Sequence, residues 1–288
     1  MNTIMDRTAV KITVLSENSV GASLGLCGEW GLALLLETAG KRILFDTGEQ
    51  GHLVTNADAL GIELRTMDAL VLSHGHYDHT GGMRAFLRRR GHLPVYAHPG
   101  IYSLHYKSLP HDQYIGVPYC REELTGLGAE FVFTSEAEEI MPGLWVSGEV
   151  PRKTDFEKGD SRLFINKEGQ KIPDPFVDDM SLYCVIPEGL VIIMGCAHAG
   201  LVNIVEHGRA VTGINRVYGI IGGTHLGPAP PEQQEATIKY LQGLDLQFLA
   251  ANHCTGLPMS ARLAGVFGPV FRFAPAGSAF ELPATSKA

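Results

Sequence analysis

The stretch Ser73-His74-Gly75-His76-Tyr77-Asp78-His79-Thr80-Gly81-Gly82 decides how this chain is read. Ala69–Leu72, just before it, is a short and wholly apolar run, which predicts a buried strand. Gly81-Gly82, at its far end, opens a helix that runs through Arg90. Between them, three imidazoles and a carboxylate crowd into six residues. His74, His76 and Asp78 are spaced by two, so in an extended segment they point to one side and His79 points elsewhere. A single ion would struggle to accept all four groups from so short a run. Two neighbouring ions would not, with His74 and His76 on one and Asp78 and His79 on the other. Imidazole with some carboxylate suits Zn²⁺, Fe or Mn²⁺, whereas all-oxygen sites suit Mg²⁺ or Ca²⁺. The plain alternative is a polar turn after a buried strand, but turns rarely need three imidazoles.

Working outward, Val10, Ile12 and Val14 alternate with polar residues and predict a half-buried strand. Leu32–Glu37 and Arg42–Phe45 flank Ala39-Gly40-Lys41 and predict a hairpin, closed by Asp46-Thr47-Gly48. His52–Leu60 predicts a helix stopped by Gly61. Gly148–Asp179 is rich in Gly, Pro and charge with little periodicity, and reads as a long lid-like loop over a site. Strands resume at Ser181–Ile186 and Leu190–Met194. The pattern then alternates: helix Leu201–Ala210, strand Val217–Ile221, helix Pro231–Leu241, strand Leu246–Ala250. Three times in this half a strand ends and a histidine follows within a few residues: His198, His225 and His253. Strand ends converging on one cleft would bring these imidazoles to the first group, and His198 and His253 sit where further ligands should come from. His225 stays open between a ligand, a general acid for a leaving group and a structural residue. Arg152 and Lys153, in the lid-like segment, are either phosphate contacts or part of a solvated loop. His52, His92, His98, His105, His111 and His207 read as surface or satisfied core residues.

The 288 residues carry 45% hydrophobic and 19% charged side chains, a globular balance able to bury a sizeable core. A formal charge of −8 disfavours non-specific binding to nucleic acid. Arg84, Arg88, Arg89 and Arg90 read as a solvated helix face. The five cysteines, Cys27, Cys120, Cys184, Cys196 and Cys254, form no CxxC pair, which fits reduced thiols in a cytoplasmic protein. Met1 to Arg7 is polar with no visible signal peptide, and no apolar run is long enough for a membrane span. The tail after Pro283 is expected to fray.

Phe45-Asp46-Thr47-Gly48 and Ser73 to Gly82 resemble the first and second motifs of the metallo-β-lactamase superfamily. Gly195-Cys196-Ala197-His198-Ala199-Gly200, Gly222-Gly223-Thr224-His225-Leu226 and Asn252-His253-Cys254-Thr255-Gly256 are similar to one of its subgroups. That subgroup includes enzymes joining a dihydropterin to a ribofuranosyl-aminobenzene phosphate. The resemblance covers about Val10 to Gly256. It implies an α/β fold, a four-layer αββα sandwich built as one domain over 1–288, with the site at one edge between the sheets. It also implies His74, His76 and His198 on one ion, Asp78, His79 and His253 on the other, and Asp46 orienting a ligand imidazole. Many members carry a bridging aspartate where this chain has Cys196, and the loop just before Ser181 holds no histidine to match the usual third motif.

The expected function is metal-dependent hydrolysis. Two divalent ions, Zn²⁺ first and Mn²⁺, Fe²⁺ or Mg²⁺ as alternatives, would lie ~3.5–4 Å apart and bring a shared water toward a pKa of ~7. The bound hydroxide would attack an ester, lactone or phosphoester, with Asp78 and His225 as catalytic groups. The first rival is a transferase of the pterin–aminobenzene phosphate synthase type, in which the ions stabilise a leaving pyrophosphate while an aryl nucleophile attacks. An O₂-using di-iron oxidoreductase, with no room for a flavin domain, and a non-catalytic ligand-binding protein are weaker rivals. The expected partner is a small molecule, with phosphate-bearing compounds included and nucleic acid and membrane excluded. Homo-oligomerisation is left open.

Overall fold

The structure, a computed structural model, describes residues 10–21, 25–108 and 110–283. The expectations for the polar N-terminus and the frayed tail lie outside the described residues.

Two sheets face each other. The first has seven strands in the order Ala279–Leu282, Val10–Ser16, Ala33–Thr38, Lys41–Phe45, Ala69–Val71, Leu93–Ala97 and Ala129–Phe133. The second has six, in the order Phe248–Asn252, Val217–Gly223, Gly189–Met194, Ser181–Ile186, Leu144–Val146 and Glu138–Met141. Strand alternation builds the layers. Leu34, Leu36, Ile43 and Phe45 point inward and meet Leu144, Leu182, Val191 and Ile193 of the other sheet. Leu35, Leu44, Leu70 and Val95 point outward and are covered by Leu53, Met83, Phe86 and Leu87 of two helices, His52–Ala59 and Met83–Arg90. On the far side, Leu190, Ile192, Ile220 and Leu249 are covered by helices Leu201–Thr212, Pro231–Gln242 and Leu257–Phe267. The result is the four-layer αββα sandwich that the resemblance implies.

Strand direction gathers the chemistry. Lys41–Phe45 and Ala69–Val71 run parallel, with Phe45 opposite Val71. Gly189–Met194, Val217–Gly223 and Phe248–Asn252 are also parallel, with Met194 opposite Gly222 and Gly223 opposite Asn252. The C-terminal ends of each parallel group therefore share one edge. Asp46, the His74–His79 run, Cys196, His198, His225 and His253 all follow those ends.

Two local expectations need correction. Gly148–Asp179 is not irregular throughout. Leu163–Lys167 and Gln170–Pro173 form a hairpin that joins His105–Ser108 and Asp112–Tyr114 in a third, four-stranded sheet. Its apolar signal is thin, resting on contacts such as Phe164 stacked on Tyr106 at 5.3 Å, because the sheet has no thick core beneath it. The extended alternation also stops at His76. Tyr77–Thr80 is a short helical turn, so Asp78 and His79 are presented by the turn and not by strand geometry.

Gly75 is fixed by close approach. A Cβ there would lie 2.1 Å from the Ile101 carbonyl oxygen and 3.1 Å from His105 Nε2. Gly75→Ala is expected to destabilise the protein by about 1–3 kcal/mol, since backbone cannot yield as a side-chain tip can. Chemical denaturation checks this, and an unchanged midpoint would contradict it. No helix among the described residues is long and apolar enough to cross a membrane.

Candidate metal centre

The histidines converge at the sheet edge, and His74, His79 and His253 are each held by a partner on the outer side. Asp46 is wholly buried and accepts from the Ser73 amide (2.7 Å) and the Ser73 hydroxyl (2.6 Å), and it pairs with His79 Nδ1 at 2.7 Å. Ser73 Oγ lies 2.8 Å from His74 Nδ1. Asn18 Oδ1 lies 3.0 Å from His253 Nδ1, while Glu17 accepts the His253 amide at 2.8 Å. With the Nδ1 atoms engaged, the Nε2 atoms of His74, His79 and His253 face inward.

These inward nitrogens face one another and have few ordinary partners. His74 Nε2 is 3.0 Å from His76 Nδ1, and His79 Nε2 is 3.1 Å from His253 Nε2. Asp78 Oδ2 is 3.3 Å from His253 Nε2. Donors of His74, His76 and His198 lie within 4.8 Å of one another, as do those of Asp78, His79 and His253. Ligands at ~2.0–2.1 Å from one tetrahedral ion stand roughly 3.3 Å apart, close to these separations. His76 Nε2 and both nitrogens of His198 are buried with no hydrogen-bond partner, which in a native interior calls for an explanation. The residues therefore fit divalent cations. All six ligand candidates come together, including His198, which sits in a turn after a strand.

Electrostatics agree. Burial drives the His74 imidazole far down, with neighbouring imidazoles adding to it, and burial beside His105 brings His76 to about 3. Both are neutral and keep a lone pair for a ligand role. For His79, burial pulls down but Asp46 and Asp78 outweigh it, raising it to about 9. Burial would raise Asp78, yet His79 and His253 hold its carboxyl well below the usual range.

The surrounding residues were less legible in sequence. His105, expected to be surface or satisfied core, is buried between Asp174 (2.6 Å) and Asp178 (3.4 Å), with its ring 5.2 Å from that of His76. Burial lowers it, but the two carboxylates win and bring it to about 10. Asp178 also accepts the Gly75 amide at 2.8 Å, tying the segment between Pro173 and Ser181 to the ligand loop. An acidic pair directly before the Ser181 strand was the only sequence signal for it. Arg152 donates to the His198 carbonyl at 2.7 Å and steadies that turn, and the Lys153 amide donates to Asn203. Arg84 and Arg89 pair with Glu123 and Asp58. His225 Nε2 lies 3.3 Å from Asp160 Oδ2, while its Nδ1 is buried without a partner. Burial lowers His225, but Asp160 and Cys254 raise it to about 9.

Asp179 accepts the Ala199 amide at 2.7 Å with one oxygen, and its other oxygen has no partner. Burial pushes its carboxyl up to about 7. Its folded value thus exceeds the unfolded value of about 3.9, so the folded state prefers the proton. The resulting penalty is absent below pH 4, grows between pH 4 and 7 and is complete above that. Three units correspond to at most ~4 kcal/mol. Asp179→Asn keeps the acceptor for Ala199, and in metal-stripped protein it is expected to raise the melting temperature at pH 8 but not at pH 4. Equal melting shifts at both pH values would refute this.

Comparison with known proteins then places the chain. The metallo-beta-lactamase superfamily profile matches residues 31–208. The chain belongs to the metallo-β-lactamase superfamily. Within it, the chain is 33% identical over 258 residues to the 7,8-dihydropterin-6-methyl-4-(beta-D-ribofuranosyl)-aminobenzene-5'-phosphate synthase of Methanocaldococcus jannaschii, covering 86% of this chain and 88% of the relative. An uncharacterised protein of the same archaeon is 31% identical, covering 81% and 87%. A metal-dependent hydrolase of the superfamily superposes with a TM-score of 0.77 at 26% identity, over 95% of this chain and 99% of that one. Zn²⁺-bound PqqB from Methylobacterium extorquens shares the fold, with a TM-score of 0.56 at 13% identity over 94% and 100%. This metallo-β-lactamase-fold chain is an enzyme with a divalent-metal site. The expectation of ester, lactone or phosphoester hydrolysis is overturned by the synthase relationship, which favours the transferase rival. The shared motifs could not separate the two, because a cation clamp on oxygen serves both chemistries.

Proposed function

We propose that this enzyme is a metal-dependent transferase of the pterin–aminobenzene phosphate synthase type, joining a dihydropterin-methyl diphosphate to an aryl ribofuranosyl phosphate with release of pyrophosphate. The observation that carries this reading is 33% identity to such a synthase across nearly the whole chain. In this reading His74, His76 and His198 hold one divalent ion, and Asp78, His79 and His253 hold a second. The nitrogen-rich donors favour Zn²⁺ over Mg²⁺. When bound, the ions would supply Lewis-acid stabilisation to the oxygens of the departing diphosphate.

The chain's own residues shape the rest. A cavity of about 290 Å³ opens beside the cluster, lined in part by Trp30, Tyr77, Lys107, Gln113 and Arg162. Lys107 and Arg162 place positive charge where phosphates enter, although Arg162 is shared with Asp160. Trp30 is half exposed and offers a flat face for a heterocycle. Asp78 is held as an anion, which suits a ligand better than a proton acceptor. As the methylene carbon gains the aryl nucleophile it loses pyrophosphate, and the nucleophile's proton leaves to solvent or product.

The test supplies metal-loaded enzyme with hydroxymethyl-dihydropterin diphosphate and follows pyrophosphate. Release is expected only when the aryl ribofuranosyl phosphate is also present. Equal release without it would mean water is the acceptor, and would overturn the proposal.

A further inference from the structure

Cys196 and Cys254 have no role in the histidine and carboxylate sets above, yet both reach the same edge. Cys196 lies just beyond Met194 and Cys254 just beyond Asn252, at the ends of two parallel strands that flank the Val217–Gly223 strand leading to His225. One nitrogen of His225 and the two sulfurs lie within 4.8 Å of one another. Cys254 Sγ accepts the His225 amide at 3.3 Å, and Cys196 Sγ lies 3.2 Å from His79 Nε2.

Three independent features mark this trio as built. First, His225 Nδ1 is buried without a partner while Asp160 holds Nε2, the arrangement in which a carboxylate orients a ligand imidazole. Second, Gly223 leaves room for a sulfur, since a Cβ there would lie 2.7 Å from Cys254 Sγ. Third, Ala197, His225 and His253, which flank these donors, all adopt left-handed backbone, with φ of 58°, 50° and 51°. Such backbone is costly for a residue other than glycine and persists only where the surrounding structure holds it.

We propose that Cys196, His225 and Cys254 form a thiolate-bearing cation seat beside the histidine cluster, with Cys196 shared toward His79. Two sulfurs and an imidazole select a borderline-soft ion such as Zn²⁺ and reject Mg²⁺ and Ca²⁺. Occupancy requires both sulfurs as thiolates and the His225 imidazole neutral, so any protons these three groups carry leave to buffer. His225 is thereby a ligand, one of the three roles open to it from sequence. The seat does not depend on which group the enzyme transfers.

The whole protein, loaded with Co²⁺ under reducing conditions, is expected to show a near-ultraviolet sulfur-to-cobalt charge-transfer band. Cys254→Ser should lower that band by about half, as one of two thiolates is lost. His225→Ala should shift it. In the unaltered protein, Zn²⁺ should slow iodoacetamide labelling of Cys254 relative to chelator-treated protein. Exposed Cys120 serves as the internal reference, labelled equally in both. An unchanged band in Cys254→Ser, or equal labelling of Cys254 with and without Zn²⁺, would overturn the seat. Neither readout involves pyrophosphate, so it fails separately from the transferase reading.

Discussion

Replacing His76 with alanine is expected to remove about one ion per chain and to lower pyrophosphate release by on the order of 10³-fold. The side chain is 5% exposed, and its Nε2 has no hydrogen-bond partner. Its Nδ1 lies 3.0 Å from His74 Nε2, and its ring centroid is 4.9 Å from that of His198. Burial brings it to about 3, so it contributes a neutral lone pair and no charge. In metal-free protein its loss costs only packing. In loaded protein the stabilisation from bound metal is lost as well, ~2.7 kcal/mol for each ion at a hundredfold excess over its dissociation constant. The variant should therefore melt close to wild type without metal and well below it with metal. Elemental analysis, melting with and without Zn²⁺ and the pyrophosphate assay together check the claim. Full metal content with full turnover in His76→Ala would end the ligand assignment.

Asp46→Ala is expected to show the largest loss of stability. One fully buried carboxylate holds the Ser73 amide, the Ser73 hydroxyl and His79 Nδ1, all within 2.7 Å. Its own backbone is left-handed at φ 59°, so surrounding contacts fix its position. Deleting it leaves the raised His79 imidazole without its nearest counter-charge. Breaking one side of a buried pair costs about 3–5 kcal/mol. That corresponds to a fall in melting temperature on the order of 10 °C for a chain of this size. Metal affinity should weaken ~10–100-fold, because ligand orientation is lost. Asp46→Asn keeps the shape and one acceptor, and should fall between wild type and alanine. Calorimetry and a metal-competition titration measure both effects. A melting temperature for Asp46→Ala within a degree or two of wild type would show that Ser73 and His79 hold themselves.

Much of this molecule was legible from residue order. Apolar alternation and uninterrupted apolar runs marked the main strands, because period-two burial and burial on both faces each leave a signature in sequence. The packed run His74 to His79 marked the chemistry, since few structural needs call for so many imidazoles together. Histidines recurring after strands pointed to His198, His225 and His253. Sequence did not decide the activity, because a site that polarises phosphate oxygens serves water and an aryl nucleophile alike. Only the fold brought Asn18, Asp178, Asp179 and His105 to the ligands, since each comes from a strand end or loop distant in sequence. The third sheet emerged only from the pairing of Leu163–Pro173 with His105–Tyr114, because edge strands with few apolar residues carry almost no local signal. The placement of Cys254 against Cys196 and His225 likewise required coordinates: parallel pairing sets which loop tips meet, and no spacing in a single chain records it.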